Sequence, residues 1–415
     1  MPPVVRSVAS LLLGVAFLML ANGALSTLIG LRLSATESAA TAVGMITAAY
    51  YAGLTLGSLY AHRIITRVGH IRAFAAFASV VSVAALSHAL FVDAPLWAVL
   101  RLTQGFCMAG LYMCIESWLN GTATNESRGQ LLSAYMVTLY GASGVGQQLL
   151  RLDDEAGVRL FMIVSILLTL ALVPVALTRT TPPQLPNVSS FGIWRLYQSS
   201  PLGVAGVFIS GSITGSIYGL APVFGASSSF GVSGTALFMS VLILGGMALQ
   251  WPLGRLSDRF DRRSVIIALS AALSLTSLGM IAAAGLDQSL ALMLVAPLFG
   301  GLAFTLYPVC LAHTNDYVRR EDMVSASGGL ILANSVGAII GPPVASALMT
   351  TTGPAGLFSF VTGGAACATL YGLWRTRVRP PLPAEAQAAF RPLPQTTPTV
   401  SPLDPMSALK TPIAH

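Results

Sequence analysis

Gly254-Arg255-Leu256-Ser257-Asp258-Arg259-Phe260-Asp261-Arg262-Arg263 sets four arginines and two aspartates between two apolar runs, 234–254 and 264–284. Each run is about 20 residues long, enough to cross a hydrocarbon layer of about 30 Å at 1.5 Å per residue. A cationic link between two such runs belongs on the cytoplasmic side, where arginine is retained. Gly254 lets helices approach closely, and Asp258 is suited to hold guanidinium groups at the membrane face. The plainer reading is a solvated basic loop that only fixes topology.

Outward from this stretch the same pattern recurs. Spans are expected at 7–31, 41–61, 73–92, 95–118, 129–150 and 157–177, then at 202–224, 234–254, 264–284, 288–312, 324–349 and 354–374. Only 9% of the 415 residues are charged while 54% are apolar, and the mean hydropathy is +0.74. Those proportions exclude a soluble enzyme, a nucleic-acid binder and a disordered chain. The net charge of +7 follows from arginine retention and implies no anionic macromolecule. Lys410 is the sole lysine, so a phosphate-binding Gly-x-x-x-x-Gly-Lys loop is absent and an ATPase domain with it. Cys107, Cys114, Cys310 and Cys367 all fall in apolar runs, as packing residues rather than metal ligands or a disulfide set. The apolar run after Arg6 continues to about Leu31 without a convincing cleavage site and reads as a retained first span.

Of the 22 basic residues, eighteen fall on the side of residues 254–263, three (Arg32, Arg151 and Arg159) on the other, and Arg101 inside a span. Both termini are therefore expected in the cytoplasm. Pro182, Pro183 and Pro186 interrupt the longest break, which separates an N-terminal six-helix bundle (1–178) from a C-terminal one (201–376) by a cytoplasmic linker, 179–200. Beyond Arg379 lie nine of the 24 prolines. Residues 377–415 are expected to be a disordered cytoplasmic tail, dispensable for folding.

The halves also resemble one another. An offset of 195 places Gly105 on Gly300, Asn120 on Asn315, Glu126 on Glu321 and Gly146 on Gly341, and an offset of 197 places Gly57-x-Leu59 on Gly254-x-Leu256. The fold class is thus an all-α membrane protein, twelve transmembrane helices in two pseudo-symmetric six-helix bundles, with a site between them.

Residues 254–263 resemble the Gly-x-Leu-x-Asp-Arg-x-Gly-Arg-Arg signature of the major facilitator superfamily, with Asp261 in place of its second glycine. Gly57-Ser58-Leu59-Tyr60-Ala61-His62-Arg63 is a related stretch in which Ala61 replaces the aspartate, and Arg101-Leu102-Thr103-Gln104-Gly105 resembles the family's Arg-x-x-Gln-Gly. Glu116-Ser117-Trp118-Leu119-Asn120, with Arg128-Gly129 after it, looks like the YcaD-like branch of bacterial inner-membrane transporters. The resemblance covers about 1–376. It implies a secondary transporter moving a small solute by alternating access, with proton coupling carried by resemblance alone. A monomer in the lipid bilayer, without cofactor, metal or nucleic acid, is the expected form.

Candidate residues for substrate or coupling are Asn22, Tyr50, Arg101, Gln104, Gln147, Tyr218, Tyr307 and Asn334, polar groups at membrane depth on several spans. Arg101 lies roughly 9 Å inside the outer end of its helix. It either serves the cavity or ties helices through backbone carbonyls. Glu116 is the only acidic residue in any expected span. It lies roughly 22 Å along the helix from Arg101, too far to pair with it. The resemblance implies a charge relay of Glu116 with Arg63 or Arg67 as an inside gate; proton carriage and interfacial solvation are the other readings. Gly254, Asp258, Arg259, Arg262 and Arg263 complete the gating set. The rival readings are a polytopic membrane enzyme and a transporter-fold receptor or scaffold. The enzyme would use His88, Asp93 and His313, yet His88 and His313 fall at opposite faces and cannot form one acid–base site.

Overall fold

In the computed structural model the described residues are 8–34, 39–124, 126–152, 158–177, 192–319, 322–378, 387, 390 and 392–403. Among them the chain is helical. In lipid every backbone N–H and C=O must be satisfied within its own segment, so each apolar run closes into a helix. The first bundle holds α1 (Ala9–Leu33), α2 (Ala39–Val68), α3 (His70–Leu90), α4 (Ala94–Thr122), α5 (Arg128–Gly146) and the pair α6 (Arg159–Leu170) and α7 (Leu172–Ala176). After a short helix α8 (Ile193–Ser199) come α9 (Pro201–Ser227), α10 (Gly231–Arg259), α11 (Arg262–Gly285), α12 (Ser289–Asn315), α13 (Met323–Thr352) and α14 (Gly356–Val378).

Eleven of these elements are long and apolar enough to span a membrane. The twelfth span is α5, made more polar by Ser133, Thr138 and Ser143. Ser133 and Thr138 donate to carbonyls four residues back, at 2.8 Å each, which hides their hydroxyls within the helix. The sixth span is split into α6 and α7 at Ala171. Pro174 explains the break, since its ring has no N–H for the carbonyl at Leu170 and crowds it.

The turns are short. Gly69, at φ +87°, alone links α2 to α3, a backbone angle open to glycine. Asp93 caps α4 by accepting the Leu96 N–H at 2.8 Å, with Pro95 in the first turn. The stretch 254–263 is helical to Arg259 and resumes at Arg262. Asp261 caps α11 by accepting the Arg263 N–H at 3.1 Å. What reads as a loop is therefore two helix ends joined by Phe260 and Asp261.

Helix pairing repeats between the halves. In the first bundle α2 packs on α4, α1 on α5 and α3 on α6; in the second α10 packs on α12, α9 on α13 and α11 on α14. Glycines mark the closest approaches. A Cβ on Gly105 would overlap the Tyr50 carbonyl, and one on Gly300 the Leu242 carbonyl; Gly146 and Gly341 meet Leu20 and Ser212 in the same way. These are two of the pairs matched at an offset of 195.

The bundles meet through α2 with α13, α5 with α10, and α9 with α1 and α2. Close approaches at Gly44 with Ser346, Gly30 with Pro222, Gly219 with Thr47 and Gly144 with Leu244 all lie in the half of the molecule away from residues 254–263. Gln148 adds a 2.5 Å hydrogen bond to Ser240, whose hydroxyl donates to the Gly144 carbonyl at 2.8 Å. The end bearing residues 254–263 is the signature face, and the opposite end the far face.

Between the bundles at the signature face lies part of the expected tail. Leu393, Val400 and Leu403 are buried in the core, and a 3-10 turn at Pro398–Leu403 packs on α4, α5 and α13. This corrects the expectation of disorder for the described part of 377–415. Three apolar anchors among the prolines, too sparse to form a core alone, bury themselves in one the helices have already built. Residues 379–386, 388, 389, 391 and 404–415 of the expected tail, and 179–191 of the expected linker, lie outside the described residues.

Candidate functional site: a cavity between the bundles

The central cavity has a volume of about 130 Å³, room for on the order of ten waters or a small solute. Asn22 and Ser26 come from α1, Tyr50 and Tyr51 from α2, Arg101 and Tyr112 from α4, Tyr140 and Ser143 from α5, Thr214 and Tyr218 from α9, and Asn334 and Ser335 from α13. Both bundles thus contribute walls. Arg101 and Tyr112 are eleven residues apart, about three helical turns, and share one face of α4.

Arg101 is 4% exposed. Its guanidinium donates to Gln104 Oε1 and to Ser26 Oγ, each at 3.3 Å, and lies 4.1 Å from the centre of the Tyr50 ring. Asn22 shares this part of the lining with Tyr50. These are side-chain contacts, so the alternative of a guanidinium spent on backbone carbonyls does not describe its placement. Arg101 is the one ionic group in the cavity lining among the described residues. Five of the 11 tyrosines line it too, and Tyr218 stacks on Phe304 with centroids 5.3 Å apart. Hydroxyl-tipped aromatic walls around one fixed cation suit a small solute with an apolar or ring portion and a negative group.

Of the candidates, Asn22, Tyr50, Arg101, Tyr218 and Asn334 come together in the lining. Gln104 stands behind Arg101, with its Nε2 unpartnered. Gln147 sits between α1 and α5, accepting from Thr27 at 2.6 Å, and Tyr307 is buried outside the lining. Ser26, Tyr112, Ser143, Thr214 and Ser335 complete the lining beyond the residues that sequence reasoning singles out. Tyr112 was open to detection, being on the same face of α4 as Arg101; the small hydroxyls give no signal against an apolar background.

Glu116, 0% exposed, does not form the relay expected with Arg63 or Arg67. Its carboxylate accepts hydrogen bonds from Thr396, Thr397, Thr399 and Tyr135, the last two at 2.6 and 3.2 Å. Arg63 instead stacks outside on Tyr60, 5.0 Å from the ring centre, and Arg67 is exposed. Glu116 faces inward from α4 while the end of α2 turns these arginines outward, so the carboxylate takes its donors from the tail and from Tyr135 of α5.

In the signature stretch, Arg262 is 1% exposed and reaches both oxygens of Asp316 at 2.6 Å and Asp258 Oδ1 at 3.0 Å. Arg263 pairs with its neighbour Asp261 at 3.2 Å, whereas Arg259 is exposed. Asp258 also accepts the Phe390 N–H at 2.6 Å. A Cβ on Gly254 would collide with the Phe390 ring, so the close approach at this glycine is made by the tail. Two residues of the enzyme reading have structural placements. His88 is enclosed by Trp97 and Phe161 and bonded to the Ala84 carbonyl at 2.6 Å, and Asp93 is a helix cap.

Comparison with known proteins agrees with this architecture. The chain matches the Major Facilitator Superfamily over residues 11–305 and 237–412. It is 30% identical over 346 residues to uncharacterised MFS-type transporters YcaD of Salmonella typhi and of a strain of Escherichia coli, covering 83% of this chain and 89% of each relative. In fold it is similar to the nucleoside transporter NupG (TM-score 0.71, 12% identity, 89% of this chain and 98% of that one). The D-xylose-proton symporter is similar too (TM-score 0.68, 13% identity, 92% and 99%). With its duplicated bundles, its cavity between them and these matches, the chain belongs to the Major Facilitator Superfamily and is a multi-pass secondary transporter of the YcaD type, not an enzyme.

Proposed function

We propose that the protein carries a small organic anion, or a solute with one acidic group, across the bacterial inner membrane as a monomer. The signature face and both termini are cytoplasmic in this reading. The observation that carries it is the single guanidinium of Arg101, held at membrane depth among tyrosines with no carboxylate in the described cavity lining. A buried charge is expensive in a membrane and is retained where it faces a ligand. Structural neighbours are named as nucleoside and D-xylose-proton transporters, so neutral nucleosides and sugars are the natural competitors. The arginine asymmetry supports the orientation. The halves 1–178 and 201–376 rock about the cavity, joined by 179–200.

Glu116 is the titratable group placed to couple transport to protons. Within the described spans the other carboxylate, Asp258, lies in the last turns of α10 and is paired with Arg262, whereas the hydroxyl partners of Glu116 let it gain or lose a proton without breaking an ion pair. Thermal stabilisation of the purified protein by a panel of aromatic and aliphatic carboxylates, phosphate esters, nucleosides and sugars tests the solute class. Proteoliposome counterflow with the hits then tests transport. Stabilisation by acidic solutes that disappears in Arg101→Ala is expected; stabilisation only by neutral solutes, retained in Arg101→Ala, would remove the anion reading.

A further inference from the structure

The far-face halves of the bundles are in direct contact, while at the signature face the space between them holds the chain's own C-terminal segment. Its contacts reach both sides. On the first bundle Thr396, Thr397 and Thr399 donate to Glu116, and Asn120 Nδ2 donates to the Thr399 carbonyl at 2.6 Å. On the second bundle the Phe390 N–H meets Asp258 and its ring covers Gly254. Pro394, Gln395 and Thr396 form part of the cavity wall. The segment therefore lies across the route from the cavity to the signature face. We propose that the vestibule formed by Glu116, Asn120, Gly254 and Asp258 is a binding site for a threonine- and proline-rich peptide that ends in a 3-10 turn. Its ligand is this chain's own C-terminal segment, Phe390 with residues 392–403, which docks as a plug when the transporter is open to that face.

The chemistry fits a reversible ligand. Glu116 gains hydroxyl donors instead of a cation, so segment and site carry complementary hydrogen-bonding groups without a tight ion pair. Three apolar anchors, Leu393, Val400 and Leu403, give the docked segment its grip. Asn120 Oδ1 and Ser401 Oγ stay buried without partners, which limits affinity and favours release. Closing the signature face requires the bundles to approach through the volume the segment fills, so a docked segment blocks the cavity and also holds the bundles apart. The proposal rests on the transporter reading, and its cytoplasmic placement on the proposed orientation.

Ser335→Cys, in a chain whose four cysteines are replaced by alanine, reports on cavity access. A membrane-impermeant maleimide is applied to inside-out and to right-side-out vesicles. Three forms are compared: the full chain, a chain ending at Val378, and the full-length triple variant Thr396→Val, Thr397→Val, Thr399→Val. The label reacts in proportion to the undocked fraction, so its rate on inside-out vesicles should rise by about tenfold or more in both altered forms. A synthetic peptide of residues 387–403 should restore protection of the truncated chain. If truncation impairs folding, as judged by size-exclusion profile, the triple variant decides alone. Equal rates in the full chain and the triple variant, or no protection by peptide, would overturn the plug. The same acceleration seen only in right-side-out vesicles would keep the plug and overturn the orientation.

Discussion

Replacing Asp316 with asparagine should lower the stability of the second bundle without shifting which face of the cavity is open. Asp316 and Arg262 are 2% and 1% exposed, with the guanidinium 2.6 Å from both carboxylate oxygens. Removing one partner of such a buried pair costs about 3–5 kcal/mol. Arg262 keeps the Ala312 carbonyl at 3.3 Å and Asp258 at 3.0 Å, which places Asp316→Asn at the lower end, about 3 kcal/mol. Asp258 is 33% exposed, and solvent screening reduces its pair with Arg262 to about 1 kcal/mol. Arg262 and Asp258 belong to α11 and α10, and Asp316 caps the end of α12 in the same bundle, so their contacts persist when the bundles rock. An interaction equal in two states cannot bias the equilibrium between them. At roughly 2–4 °C per kcal/mol for a unit of this size, Asp316→Asn should melt about 6–12 °C lower, and Asp258→Asn about 2–4 °C lower. Tryptophan fluorescence melts in detergent and two-sided labelling of Ser335→Cys give both quantities. The reasoning fails if Asp258→Asn melts lower than Asp316→Asn, or if Asp316→Asn changes the labelling ratio between faces while its melt stays at the wild-type value.

Asp258→Asn should impair cycling more than solute binding, by altering the contact with Phe390; equal losses of binding and flux would argue against it. Arg101→Ala should abolish saturable flux of the acidic solute, and Arg101→Lys should recover little, because one ammonium cannot span Gln104, Ser26 and the Tyr50 face together. Full gradient-driven flux in Arg101→Ala would reduce this residue to packing. Glu116→Gln should abolish the response of flux to an imposed pH gradient while leaving counterflow of the solute; a full gradient response would remove Glu116 as the coupling group. Gly105→Ala should cost about 1–3 kcal/mol as α4 is pushed from the Tyr50 carbonyl, read as a lower melt, and an unchanged melt would show that the helices have room to part.

Much of the architecture is legible in the chain. Runs of about 20 apolar residues have one low-energy form in lipid, so the helices follow from composition. The glycines matched at an offset of 195 meet carbonyls of neighbouring helices in both halves. Arg101 is conspicuous because a charge at membrane depth always needs an explanation. Which polar groups join it is a matter of helix rotation, set by packing between helices far apart in sequence. Tyr218 thus enters the lining while Tyr307 and Gln147 do not. The same reason hides Asp316, whose partner Arg262 is 54 residues earlier.

The tail marks the boundary most clearly. Proline and threonine without apolar periodicity cannot build a core, and by itself the sequence from Arg379 onward specifies only a chain unable to fold alone. Composition records what a segment can do by itself, not what a neighbouring surface offers it. Only the tertiary structure brings the Glu116 carboxylate, the bare face of Gly254 and the gap between two bundles to one place, giving three threonine hydroxyls and three apolar side chains somewhere to be buried.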